Sequence, residues 1–560
     1  MVASFIRKFE FRFPVVLWLV LFLAAIGSME DIFIYSFRWR SGIVALCGLT
    51  AFAVFKATVL TWAAVLSRRW RSIHFLVMAF IVGFIFLSVV NGLSVVMYGF
   101  GISRKMLTIL FETNSEEVAE FLSGFGVSIC NLLFSWRFVA LLLCVAFVSA
   151  LVLAFPERVF FLGVAFISLF GIIFYVYVLF SNSSGRTDYV SYARAYRAVS
   201  GVVRNMRRVR QLHSVPRVLP DSCSLHSDHL VGRIVVVIGE SASRDHLSLY
   251  GYPLPTTPRL DKRSSRLFLF GNAVASSTST AENIPRLLSF MTDEPGEKEW
   301  YDYPSVLQLS RMSGYHTYWL SNQERTGEWS NLSGLLSGDA DEVRYVGAED
   351  SEDHMLGRFD EVLLPHFSQV LAAEDSLQLV FLHLMGSHVR YDKRFPPSAV
   401  VITADDVLRA RPRTWLDSRC ARTVAAYDNS IRYTDGVLAE MMAVIDSVPA
   451  PVAMIYLSDH GENVYDDRKY NGRDPKFTEV PFFIYLNDSC RSVNPELVGE
   501  IEKAVARRFS TSELPQMIMH IFGTRHALYD SVRDPLSSSF KERIRYVDGE
   551  PFWRDLQSGD

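Results

Sequence analysis

Two apolar runs in this chain end on acids. Residues 234–239 (I-V-V-V-I-G) lead into Glu240, and residues 452–457 (V-A-M-I-Y-L) lead through Ser458 into Asp459 and His460. Strand ends in a parallel sheet deliver side chains from a rigid floor into an open crevice. A carboxylate from one such end and a carboxylate–imidazole pair from another make a hard oxygen and nitrogen ligand set. A divalent ion of the zinc or manganese kind takes such ligands. The pattern predicts a metalloenzyme.

Thr280 ends the polar run Ser276-Ser277-Thr278-Ser279-Thr280 and opens a helical pattern through Ile284, Leu287, Leu288 and Phe290. A threonine in that position is ordinarily an N-cap, its hydroxyl bonded to a free backbone N–H. A helix N-terminus also favours phosphoryl groups, and a metal ion eases ionisation of a hydroxyl beside it. Taken with Glu240, Asp459 and His460, Thr280 is the candidate nucleophile. His383 and His388, in F-L-H-L-M-G-S-H (381–388), follow another apolar run and flank Gly386. They suit hydrogen-bond donation to phosphate oxygens or proton shuttling. Glu462 reads as a partner behind the ligands, as a ligand to a second metal, or as a helix-start carboxylate.

These residues need a scaffold. From residue 230 onward, strand candidates at 234–239, 267–270, 316–320, 377–383, 452–457 and 482–486 alternate with helix candidates near 280–292, 304–313, 356–373, 421–446 and 511–521. Val424, Tyr427, Ile431, Thr434, Leu438, Met441 and Ile445 recur at three- and four-residue spacing, a stripe that packs on a sheet. The alternation predicts an α/β domain over 230–560, with a mostly parallel sheet covered by helices.

The first third of the 560-residue chain has another character. No Asp, Glu, Lys or Arg occurs in residues 13–29, 75–103, 138–156 or 159–185, and 41–67 carries only Lys56. Such stretches predict five bilayer spans, near 13–29, 42–66, 75–98, 138–155 and 159–181, an all-α polytopic membrane domain over 1–181. The first could serve as a signal peptide, but further spans follow it and favour an uncleaved anchor. Arg7, Lys8 and Arg12 before span one, and Arg68, Arg69 and Arg71 before span three, belong on the cytoplasmic side. Five crossings then put the long C-terminal part outside the cytoplasm. Residues 182–229 form a linker in which Arg194, Arg197, Arg204, Arg207, Arg208 and Arg210 interleave with valines. That segment reads equally as a basic amphipathic helix on anionic lipid or as a solvated linker. A net charge of −3 gives no sign of nucleic-acid binding. Three of the six cysteines, Cys223, Cys420 and Cys490, fall in the external part, so this is no disulfide-dense scaffold.

The motifs I-G-E-S (238–241), S-L-Y-G-Y-P-L-P-T-T-P (248–258), T-S-T-A (278–281), H-L-M-G-S-H (383–388), A-Y-D-N-S-I (426–431) and S-D-H-G-E (458–462) occur in one order. In order and spacing they resemble the phosphoethanolamine transferases, membrane enzymes of the alkaline phosphatase superfamily with a sulfatase-type catalytic domain. S-L-Y-G-Y-P resembles the branch that modifies the lipopolysaccharide core, and E-T-N (112–114) resembles the lipid-facing motif of the family as a whole. The resemblance implies a zinc ion held by Glu240, Thr280, Asp459 and His460, with manganese as the alternative metal and a second ion in question. It implies Thr280 as nucleophile, His383 and His388 on the transferred phosphate, and Asn114 and Glu117 near the lipid donor, with Glu116 as competitor to Glu117. The chain departs from the family twice. No histidine lies between Gly461 and Met519, where the family supplies one; Asn471, Arg473 or Lys476 stands in that region, and Lys476 could hold a phosphate by charge. The nucleophile loop also lacks the cysteines with which some members brace it.

The implied reaction moves phosphoethanolamine from phosphatidylethanolamine, through a phosphothreonine, to lipopolysaccharide, lipid A or another envelope glycan. The implied location is the bacterial inner membrane, multi-pass among its lipids, with a periplasmic catalytic domain. Two rival readings are a glycerol-phosphate transferase resembling the lipoteichoic acid synthases and a catalytically silent membrane scaffold. A cysteine sulfatase is disfavoured, because the nucleophile position lacks a C-x-P-x-R pattern.

Overall fold

Apolar residues are placed in two opposite ways along this chain. A computed structural model describes residues 42–98, 226–323 except 229 and 297, 332–346, 359–410, 418–465 and 475–557, with short pieces at 17–18, 21–22, 169, 199–200 and 203. The chain divides into two units, Met1–Arg207 and Arg208–Asp560.

In the first unit, helix α1 (Gly42–Ser67) and helix α2 (Arg71–Tyr98) share an apolar cluster with Trp18 and Leu21. Their outward side chains are also apolar: Phe75, Leu76, Val82 and Phe86 are each more than 60% exposed. Hydroxyls turn inward. Thr61 Oγ1 donates to Ala57 O at 2.7 Å, and Trp18 Nε1 donates to Thr58 Oγ1 at 3.0 Å. Polar groups satisfied internally beneath an apolar exterior are what a lipid environment requires. Among the described residues, one stretch, Arg71–Ser88 of α2, is long and apolar enough to cross a membrane, with a mean hydropathy of 1.9. The apolar part of α1, Ala53–Ser67, is shorter. The span expected at 138–155, all but residue 169 of that at 159–181, the loop of Asn114, Glu116 and Glu117, and all six arginines of the basic segment lie outside the described residues, as does most of 13–29.

The second unit is built on a seven-stranded sheet: β1 (Arg233–Gly239), β2 (Leu267–Leu269), β3 (His316–Ser321), β4 (Glu342–Tyr345), β5 (Gln378–His383), β6 (Val452–Ser458) and β7 (Phe482–Leu486). Their order across the sheet is β2-β7-β6-β1-β5-β3-β4. Strands β6, β1, β5, β3 and β4 run parallel, whereas β7 and β2 add an antiparallel margin. β1 is central and buried on both faces, which explains its unbroken β-branched run. Ile234, Val236 and Ile238 enter one apolar layer, and Val235 and Val237 the other. Helix α3 (Thr280–Leu288) and helix α6 (Leu514–Phe522) cover the first face; α4 (Leu363–Leu371) and the C-terminal half of α5 (Ser418–Ser447) cover the second. Register sets the site: Ile238 lies opposite His383, and Gly239 opposite Ser458, so the reactive residues emerge at one sheet end.

Two local expectations are corrected, and some elements were not foreseen. The helix expected to reach 292 stops at Leu288, because Ser289 is extended (φ −128, ψ 174) and bridges to Ser305. The helix expected from 356 is, among the described residues, a 3-10 turn at Asp360–Val362 followed by α4. Strand β4 went unanticipated because only Tyr345 of its four residues is buried. Short helices at Asp488–Val493 and Pro495–Ala504 were also missed; the break at Asn494-Pro495 divides their pattern.

Candidate metal and nucleophile site

A sharp elbow follows β1. Ser241 adopts a left-handed backbone (φ 56), which turns the chain directly after Glu240. The elbow is fastened on all sides. Ser241 N donates to Asp459 Oδ1 at 3.1 Å, Ala242 N to Ser458 Oγ at 2.9 Å, and Ser243 N to the Tyr427 hydroxyl at 2.8 Å. That hydroxyl in turn donates to Ser241 O at 2.6 Å. From β5, Gly386 (φ 51) presses on Glu240: a Cβ there would sit 2.8 Å from Glu240 N, so only glycine fits. The buried Asp360 holds this loop, accepting from Met385 N and Gly386 N, each at 2.8 Å.

Glu240, Asp459 and His460 bring ligand atoms within 4.8 Å of one another, the one such group of three among the described residues. Thr280 joins them. Its Oγ1 donates toward Glu240 Oε2 at 3.1 Å and Oε1 at 3.3 Å, and lies 3.4 Å from His460 Nε2. The N-cap reading of Thr280 is overturned: the cap position belongs to Ser279, and Thr280 is the first helical residue, its hydroxyl turned to the acids. Asn283 makes this possible. Its amide accepts from Ser276 Oγ and Ser277 N and donates to Ser277 O and Ser279 O, so one buried side chain pins the loop that Thr280 ends. Hydrogen bonds thus brace a loop that has no cysteine.

The electrostatics call for a cation. Glu240 and Asp459 are 1% and 0% exposed, and Asp459 Oδ2 has no hydrogen-bond partner. Burial and the Glu240 charge push Asp459 up to about 7. Burial opposes a charged His460, yet Asp459 and Glu240 outweigh it and raise the imidazole to about 10. Burial also opposes the Glu240 charge, but His460, His388 and Ser241 hold its carboxyl well below the usual range. Two buried carboxylates and an orphaned oxygen facing one imidazole fit a divalent ion better than they fit one another.

His383 closes β5 fully buried; burial lowers it to about 4, leaving a neutral imidazole edge-on to Trp319 with both ring nitrogens unbonded. His388 is half-buried, and its charge reaches Glu240. Lys476 lies along the chain segment against Gly461, its Nζ 4.6 Å from the Tyr465 ring. Glu462 is not among the grouped ligand atoms; its Oε1 accepts from Asn463 N at 3.1 Å. Asn471 and Arg473 lie outside the described residues, as does Cys223; Cys490 is a buried free thiol. Sequence reading missed Gln323, whose Nε2 donates to Glu240 Oε2 at 3.2 Å and to Leu384 O at 3.0 Å. It also missed Asp360 and Asn283.

Two motifs serve as joinery. In A-Y-D-N-S-I, Asp428 accepts from the Tyr252 hydroxyl at 2.7 Å and pairs with His246 Nδ1 at 2.7 Å. Asn429 Oδ1 accepts from Val401 N and Ile402 N. In S-L-Y-G-Y-P-L-P-T-T-P, Thr256 and Thr257 hydroxyls accept from Ser248 N and Leu249 N, and the Tyr250 hydroxyl donates to Phe482 O.

Comparison with known proteins agrees with this architecture. The profile of the sulfatase family matches residues 233–524. Phosphoethanolamine transferase EptC of Escherichia coli (strain K12) is 26% identical over 488 residues, covering 82% of this chain and 81% of that protein. Phosphoethanolamine transferase CptA of Salmonella typhimurium is 26% identical over 483 residues, with the same coverage of 82% and 81%. Among solved structures, the C-terminal periplasmic domain of Escherichia coli EptC in complex with zinc matches with a TM-score of 0.53 and 26% identity, over 59% of this chain and 93% of that one. The integral membrane protein lipooligosaccharide phosphoethanolamine transferase A from Neisseria meningitidis matches 94% of this chain and 99% of its own, with a TM-score of 0.66. At 17% identity that likeness shows a shared fold.

Proposed function

The chain belongs to the sulfatase family, and from that premise we propose that it is a metal-dependent phosphoethanolamine transferase of the bacterial envelope. The observation that carries the reading is the Thr280 hydroxyl, 3.1 Å from Glu240 and 3.4 Å from His460. Glu240, Asp459, His460 and Thr280 would hold one zinc ion. That ion supplies a lowered hydroxyl pKa and positive charge against the phosphoryl oxygens.

The reaction runs in two displacements. Thr280 Oγ attacks the phosphorus of phosphatidylethanolamine, the bond to the glycerol oxygen breaks, and diacylglycerol departs with a proton. Phosphoethanolamine stays on the threonine. An acceptor hydroxyl or phosphate then attacks the same phosphorus and frees Thr280. The protein contributes position and charge more than covalent chemistry. His383, neutral through burial, donates a hydrogen bond to a phosphoryl oxygen; His388, partly open to solvent, carries the proton to the leaving oxygen. Lys476 provides a fixed cation for the phosphate, and Asn114 and Glu117 meet the lipid donor. Because the donor is a lipid, the site works at a bilayer surface. The N-terminal helices form a five-span anchor in the inner membrane, the catalytic unit is periplasmic, and the acceptor is lipid A, the lipopolysaccharide core or another envelope glycan.

Intact-mass analysis of protein purified from membranes tests this. A phosphoethanolamine adduct on the Thr280 peptide, absent in Thr280→Ala, is the expected result. A glycerol-phosphate adduct would reassign the donor, and no adduct with any lipid donor would reduce the chain to a scaffold.

A further inference from the structure

The matched family region ends at residue 524, yet a segment beyond it reaches the nucleophile loop. Tyr546–Val547 and Glu550–Pro551 pair as an antiparallel hairpin. Its two turn residues, Asp548 (φ 51) and Gly549 (φ 78), are both left-handed. This is the tight hairpin turn that matches strand twist, and Asp-Gly is a favoured sequence for it. The hairpin is seated by Val547 and Phe552 against Val274, and by Arg545 Nη1 donating to Asn272 O at 2.5 Å.

From this turn Asp548 grips three consecutive residues. Its Oδ1 accepts from Ser277 Oγ at 2.5 Å, and its Oδ2 accepts from Thr278 Oγ1 at 3.2 Å. Its backbone N–H donates to Ser276 O at 2.9 Å. The run Ser276-Ser277-Thr278-Ser279-Thr280 has no apolar side chain to anchor it, so polar partners alone set its path. Asn283 supplies them from within the helix; Asp548 supplies them from 270 residues away, through charge-assisted hydrogen bonds.

The geometry points to Asp548 as a positioning residue for Thr280, an external clamp that holds the nucleophile loop in register with the acids. This rests on the reading of Thr280 as nucleophile. Reacting groups must be kept within about 0.5 Å of the productive position, which a loop of five hydroxyl residues does not achieve alone.

The test uses the full-length protein in detergent, as wild type, Asp548→Ala, Asp548→Asn and, on the exposed arm of the same hairpin, Glu550→Ala. Three quantities are measured: amide hydrogen exchange of peptides covering 276–283, kcat and KM for transfer from phosphatidylethanolamine, and the melting temperature. Asp548→Ala is expected to speed exchange in that peptide about tenfold and to lower kcat by roughly 10- to 100-fold, with KM changed less than about threefold and melting little changed. Asp548→Asn keeps an acceptor oxygen and recovers most of both, and Glu550→Ala behaves as wild type. Wild-type exchange and kcat in Asp548→Ala overturn the proposal. So does a loss that follows melting temperature and is no better in Asp548→Asn. If wild type transfers nothing, the functional reading fails alone, and the exchange measurement still decides whether the clamp exists.

Discussion

Two histidine–aspartate pairs lie close along the same framework and behave oppositely. His246 and Asp428 are both fully buried, with Nδ1 and Oδ1 2.7 Å apart and the second carboxylate oxygen accepting from Tyr252. The rings of Tyr252, Tyr427 and Tyr465 surround the imidazole at 4.8–5.0 Å. His460 and Asp459 sit at a strand end instead. There Asp459 Oδ2 has no hydrogen bond, and the imidazole keeps 12% of its surface open beside a second acid and a hydroxyl. Residue type is shared; enclosure is not. A pair whose carboxylate is satisfied holds chain segments together, whereas one left with a spare oxygen at the mouth of a crevice is equipped to take an ion or a substrate.

Four substitutions break or sharpen this contrast. The largest effect is expected for Thr280→Ala, which removes the group the open pair serves: transfer, followed by product mass, should fall about a thousandfold or more while the fold persists. Asp428→Ala should act on the closed pair the other way. It leaves His246 and Tyr252 without their acceptor in a dry site, costing about 3–5 kcal/mol in chemical denaturation, with transfer by the remaining folded protein retained. Lost transfer at unchanged stability would make that pair catalytic and dissolve the contrast.

A third pair tests the electrostatics alone. Burial opposes a charged His520, but Asp534 and Glu500 raise it to about 9, above its ordinary 6.5. A raised imidazole stabilises fully below pH 6.5, and the contribution disappears as pH rises through about 9. The stability gap between wild type and His520→Gln, on the order of 3 kcal/mol at pH 6, should therefore close by pH 10. Smallest in stability is Asp459→Asn. Removing an incompletely satisfied buried charge should leave the metal-free protein within about 1 kcal/mol of wild type at pH 8. Zinc affinity, measured by competition with a chelator, should drop at least about 100-fold.

Most of the candidate site's placement was legible because it sits where periodicity changes. Apolar runs that end on Glu240, His383 and Asp459 announce strand ends, and the stripe from Val424 to Ile445 announces the covering helix. Thr280 was ambiguous, since a helix-start hydroxyl looks the same whether it caps or reacts; only the placement of Ser279 and Asn283 separates the two. Gln323 and Asp360 left no local signal, because each acts on residues tens of positions away: Gln323 on Glu240, Asp360 on Gly386. Asp548 did leave one, the Asp-Gly pair of a tight hairpin, but its target lies in another part of the chain. The antiparallel margin of β7 and β2 was hidden too, because an apolar run has no direction.

The strand order has a consequence for how activity fades under stress. Glu240, His383 and Asp459 ride on the three neighbouring strands β1, β5 and β6, in the interior of the seven-stranded sheet. Such strands open only when the whole domain does, while margins and surface helices fray earlier. Heating or mild denaturant should thus wear the edges while the strand-borne acids and His383 stay in place, so transfer should fail first at Thr280, whose loop hangs on a covering helix and the C-terminal hairpin.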